Sequence, residues 1–268
     1  MSRCRGFTLV ELIAVVAILG IVAAMVAVFV RVPVQGYVDA TRRAELIDIA
    51  DGALRRMARD LRLALPNSAR VTTVGGRTYL EFLQTSGGGR YRVEVDNLGA
   101  GDVLDFAAAD GSFDVLGPAV TLAAGEQNQV VVFNLGIPGA DAYAADNRSA
   151  ATSATGTPLT ALQIAPFKFP FASPARRFQV VSYPVTYECD PAAGTLRRHW
   201  NYAIAAAQPA PPAGGSSALL AAGVSACAIT YDAAVVAQRA GLVTVRLTLT
   251  RLDESVTLYH AVHVVNQP

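Results

Sequence analysis

The 268-residue chain is 52% hydrophobic and 16% charged, enough for one large core or two small ones plus an accessory segment. Its 22 Lys and Arg against 21 Asp and Glu leave a net charge of +1, so no global field draws it to nucleic acid or acidic lipid. The three cysteines, Cys4, Cys189 and Cys227, match no zinc spacing.

At the start, RCRGFTLVELIAVV (residues 3–16) leads into an uncharged apolar run over residues 12–30. As a helix that run rises about 28 Å, close to the thickness of a bilayer's hydrocarbon. Arg3 and Arg5 precede it, which orients the short N-terminus toward the cytoplasm and everything after residue 30 away from it. Glu11 is the only charge between Arg5 and Arg31, and a carboxylate at mid-bilayer costs about 2.5–3.5 kcal/mol. A secretory signal peptide shares the basic start but has a shorter apolar core, and here the small residues of AAMVA run on into more apolar chain. A plain one-span anchor leaves Glu11 unexplained.

Beyond Pro33, Tyr37, Ala40, Ala44, Ile47, Ala50, Leu54, Met57 and Leu61 recur at steps of three and four, predicting a helix with one buried face. Arg42, Arg43, Glu45, Arg55, Arg56, Arg59, Asp60 and Arg62 fall mostly off that stripe. Pro33 and Gly36 can bend the rod, and Pro66 and Asn67 end it. Acids at Glu45, Asp48, Asp51 and Asp60 interleave with the arginines, and no aromatics alternate with them. A solvated face or subunit contact is expected there, not a nucleic-acid groove.

From residue 71 the period becomes two. VTTVGGRTYLEFLQ predicts two strands about Gly75 and Gly76, and RYRVEVD (residues 90–96) a third after a flexible SGGG. QVVVFNL (residues 129–135) predicts another strand, and residues 136–158 an exposed loop. RRFQVVSYPVTYECD, TLRRHWNYAI, AGLVTVRLTLTRL and SVTLYHAVHVV supply further strands, the last two as a hairpin around Asp253 and Glu254. A proline-rich break, AAAQPAPPAGGSSA, precedes LLAAGVSACAITYD. The expected class is α+β: a long N-terminal helix, part membrane and part amphipathic, packed on a β-sheet-rich head.

RGFTLVELIAVVAILGIVAA (residues 5–24) resembles, without a gap, the G, F, T, L, x, E signal of type IV pilins and type II secretion pseudopilins. The resemblance implies a prepilin leader at residues 1–6, cleavage by a prepilin peptidase between Gly6 and Phe7, and N-methylation of Phe7. It implies a helical rod over residues 7–65 with its transmembrane part at about 7–30, and an extracytoplasmic head over 66–268. Phe7 and Glu11 are one turn apart, so a neighbouring subunit shifted by about a turn would set its amine against this carboxylate as an assembly contact. Residues 44–71 and 176–204 are similar to MshO-type minor pilins of mannose-sensitive haemagglutinin (MSHA) pili, which implies a low-abundance subunit in filament initiation or capping. A J-type minor pseudopilin of type II secretion and a filament-tip adhesin stand as alternatives. The implied partners are other pilin subunits, the prepilin peptidase and the assembly platform at the bacterial inner membrane, with the head in the periplasm.

On that processing Cys4 leaves with the leader, and two thiols remain where disulfides persist. A bridge between Cys189 and Cys227 would contribute roughly 4 kcal/mol on the chain-entropy model. No catalytic constellation is legible: His260 and His263 are three apart in a strand and face opposite ways, and no nucleophile elbow or phosphate loop accompanies His199. No enzyme, cofactor, metal or nucleic-acid role is expected. DNLGAGD (residues 96–102) reads as an Asx/Gly turn before a calcium loop, and FKFPF (residues 167–171) as core packing before a subunit contact.

Overall fold

The computed structural model describes residues 7–233 and 240–268, the side chain of Val32 excepted. Arg3, Cys4, Arg5 and Gly6 therefore lie outside the described residues. Helix α1, Leu9–Leu61, is one 53-residue element that rises about 80 Å. It passes through Pro33 and Gly36 without a break in its helical assignment; propagation is cooperative, so one missing i→i−4 bond leaves the flanking turns formed. The helix ends before residue 65 because strand pairing takes over. Leu65 N–H donates to Leu83 O at 2.7 Å, Thr85 N–H donates to Leu63 O at 2.8 Å, and Ala64 bridges Gln84.

Among the described side chains of α1, only those in its last third are buried, through Leu46, Ala50, Ala53, Leu54, Met57, Ala58 and Leu61. The buried stripe thus begins at Leu46, whereas Tyr37, Ala40, Ala44 and Ile47 are exposed. The three-and-four spacing holds from Ala50 onward, and nearer the N-terminus the head covers too little of the rod to bury its stripe.

The strands are β1 (Arg70–Val74), β2 (Arg77–Tyr91), β3 (Asp110–Leu116), β4 (Val120–Thr121), β5 (Gln129–Val132), β6 (Arg148–Ala150), β7 (Pro158–Leu159), β8 (Ala161–Phe167), β9 (Arg177–Asp190), β10 (Thr195–Trp200), β11 (Ser216–Ala222), β12 (Val224–Asp232), β13 (Ala240–Arg251) and β14 (Glu254–Val265). The main sheet runs β11-β10-β9-β2-β3-β8, with β1 added to β2, and β5 pairing both β9 and β6. A second sheet, β12-β13-β14, and a β4-β7 ribbon complete the head. The C-terminal part of α1 packs between the two sheets, sharing one core with Leu80, Phe82, Val185 and Tyr187 of the main sheet and Val245, Leu247, Val262 and Val264 of the second.

Gly75 and Gly76 turn the β1–β2 hairpin at φ 59° and 79°, the left-handed pair that a tight hairpin requires. The glycines of SGGG are strand, not a flexible break: a Cβ on Gly88 would sit 2.6 Å from Phe178 O, and one on Gly89 3.1 Å from the Phe178 ring. Conversely, only Arg90 and Tyr91 of the strand expected over residues 90–96 are in a ladder. The loop expected to be exposed over residues 136–158 buries Ala140, Ala142, Tyr143 and Asn147; Tyr143 donates to Ser68 O at 3.0 Å, and β6 lies within it. LLAAGVSACAITYD splits at Gly223 (φ 76°), so that β11 stays in the main sheet and β12 enters the second. The C-terminal hairpin turns one residue early, at Leu252 and Asp253, and Glu254 already pairs Arg251 in the ladder. Within FKFPF, Phe169 is buried with its ring centroid 5.0 Å from that of Phe167, while Phe171 is exposed.

Candidate functional site

The N-terminal third of α1 touches nothing else in the chain: Phe7 is 75% exposed and every residue from 7 to 31 is exposed. By length and composition this segment can cross a membrane. Thr8 is its N-cap, accepting from Glu11 N–H at 3.4 Å. The spacing Thr8-x-x-Glu11 is that of a capping box, and a carboxylate in the first turn faces the positive end of the helix dipole. The T-x-x-E spacing, legible in the sequence, gives Glu11 this second, local role. Among the described residues Glu11 forms no ion pair.

The head grips the rod at two heights. Near its lower rim Arg43 meets a half-buried Glu254 at 2.9 Å, and Arg251 meets Glu45 at 3.2 Å in solvent. At the top Asp60, assigned by periodicity to the solvated face, is only 5% exposed. It receives Arg198 Nε at 2.7 Å, Tyr187 OH at 2.8 Å and Arg56 Nε at 3.1 Å. Arg198 also donates to Gln84 Oε1 at 3.0 Å. Burial and then the Asp60 charge push the Tyr187 hydroxyl well up. For Arg198 burial works against the charge, but the Asp60 carboxylate prevails and raises it. Nothing in the local sequence separates Asp60 from Asp51, which pairs Arg55 in solvent.

The opposite face of the main sheet carries a second set of buried polar groups. Glu81, fully buried, accepts from Arg70 Nε at 2.8 Å and Tyr202 OH at 2.9 Å. Burial holds its carboxyl above the usual range, with Arg70 and Tyr202 pulling the other way. Glu188 accepts from Tyr79 OH at 3.2 Å and lies 2.8 Å from His199 Nε2. The proline-rich excursion covers this face: Gln208 donates to Tyr79 O at 3.1 Å, and Arg70 to Ala205 O and Ala206 O. These are structural networks in which each charge has its partner. His260 and His263 lie on opposite faces of β14. Asp96 accepts from Leu98 and Ala100 N–H through one oxygen, an Asx turn, and those backbone donors lower its pKa.

Cys189 on β9 and Cys227 on β12 form a disulfide with Cα atoms 6.7 Å apart and a sequence separation of 38. It joins the two sheets across the core that encloses α1 and closes off the proline-rich excursion between them.

Residues 1–27 match the family model of the prokaryotic N-terminal methylation motif. No curated protein and no solved structure matches the chain. The chain thus carries the prepilin-type signal of type IV pilins and pseudopilins, joined to an α+β, pilin-like architecture of one long apolar helix and a sheet-rich head.

Proposed function

We propose that this protein is a minor pilin-like subunit that initiates or caps a type IV pilus of the MSHA type. A prepilin peptidase cuts between Gly6 and Phe7, Phe7 is N-methylated, and residues about 7–30 hold the subunit in the inner membrane with residues 66–268 in the periplasm. The observation that carries this reading is the unpartnered apolar rod, exposed along residues 7–31 and bearing one acid, Glu11. In a filament such rods bury one another, and the amine of a neighbour's Phe7 neutralises Glu11 in a low-dielectric bundle while fixing its axial register. The MSHA assignment is supported by the likeness of residues 44–71 and 176–204 to MshO-type minor pilins.

Mass spectrometry of the protein from assembled fibres should find a first residue at Phe7 carrying one methyl group; a chain still starting at Met1 would refute the processing. Glu11→Ala should leave the precursor in the membrane and sharply lower its recovery in filaments. Deleting the chain should abolish surface filaments. Intact filaments with lost protein secretion would assign it to a type II pseudopilus instead, and intact filaments with lost attachment to an adhesin.

A further inference from the structure

Past the point where Leu63 and Leu65 cross β2, the main sheet opens into a groove of about 690 Å³, within the range of about 300–1,000 Å³ that small-molecule sites occupy. Gly88, Gly89 and Gly117 are among its lining residues. Three arginines line it: Arg90, Arg176 and Arg177. All three are exposed, and none forms an ion pair or side-chain hydrogen bond among the described residues. Of the head's other arginines, Arg70, Arg77, Arg92, Arg198 and Arg251 each hold a carboxylate, whereas Arg148, Arg197 and Arg246 form no ion pair among the described residues but do not line this groove.

Arg90 and Arg177 are also direct cross-strand partners on β2 and β9. Like charges placed directly opposite destabilise a sheet, so this pair costs the free protein stability, with no counterion among the described residues to offset it. Arginine's planar fork suits bidentate binding of carboxylate, sulfate or phosphate. One further group narrows the ligand: Gln179 lines the groove, and its buried Oε1 has no hydrogen-bond donor. An ionised carboxylate or a sulfate has no donor to give it, whereas a hydroxyl does. Phe178 beneath is buried, so no ring face is presented for a nucleobase to stack on.

We infer that this groove is a binding site for an acidic saccharide, one bearing carboxylate or sulfate groups on a hydroxyl-rich ring. The inference is independent of filament assembly, because it concerns the isolated subunit.

The test is calorimetric titration of the full chain in detergent with a short oligouronate, a sulfated oligosaccharide of equal length and the neutral parent. The two acidic arms identify which anion is preferred, and binding should weaken with salt. Arg177→Gln and Arg90→Gln should each weaken acidic-saccharide binding by about tenfold, the loss expected for one charged hydrogen-bonded contact. Their melting temperatures should be equal to or above that of the parent, which separates lost binding from lost folding. Equal binding of the neutral saccharide, unchanged affinity in both variants, or complete displacement by equimolar inorganic phosphate would each overturn the assignment. So would binding to anionic lipid vesicles, lost in both variants, with no saccharide binding.

Discussion

Asp60 and Asp51 lie on the same helix, each with an arginine four residues away, yet their environments make them different groups. Asp51 meets Arg55 in solvent, where an ion pair is worth at most about 1 kcal/mol, so Asp51→Ala should move stability by less than that. Asp60→Ala would strand Arg198, itself only 5% exposed, and should cost about 3–5 kcal/mol in denaturant unfolding of the full chain in detergent; a cost equal to that of Asp51→Ala would remove the pair's structural role. Glu81 makes a prediction in pH. Its folded pKa is raised above the ordinary 4.5, so the folded state holds the proton more tightly than the unfolded one. Its contribution is fully present below 4.5 and is lost as pH rises through the raised value. Glu81→Gln mimics the protonated form, so the melting temperature of the parent should fall relative to that of the variant as pH climbs through this window. A difference that stays flat with pH would mean the site does not titrate there.

At the scale of elements, glycine shows where the pattern of a segment and its environment part company. Gly52 sits on the exposed side of α1 with nothing within 4 Å of an added Cβ, and Gly52→Ala should stabilise the protein by up to about 1 kcal/mol through helix propensity. Gly88 sits in β2 with Phe178 O only 2.6 Å from such a Cβ, so Gly88→Ala should cost about 1–3 kcal/mol by forcing β2 and β9 apart. Thermal unfolding of the two variants compares them directly. The same contrast explains what the sequence could and could not disclose. The β1–β2 hairpin was legible because Gly75 and Gly76 satisfy a local rule. The strand identity of residues 86–89 was not, because its cause is the proximity of β9, about a hundred residues away.

Across the whole molecule, one covalent link and one rod organise the head. The Cys189–Cys227 bridge ties the main sheet to the second sheet around α1, and replacing both cysteines by serine should lower unfolding stability by about 2–5 kcal/mol. Unchanged stability would mean that the apolar core alone holds the sheets together. The sequence by itself determined the signal at residues 5–24, the apolar rod with its lone Glu11, the amphipathic continuation and the α+β class, because each depends on residue order and periodicity within one segment. Only the tertiary structure decided that burial of the rod begins at Leu46, that Asp60 belongs to the interior, that residues 140–147 join a core, and that Arg90 and Arg177 face each other with no counterion among the described residues. Those outcomes depend on which distant strand lies alongside a residue, and local pattern carries no information about that neighbour.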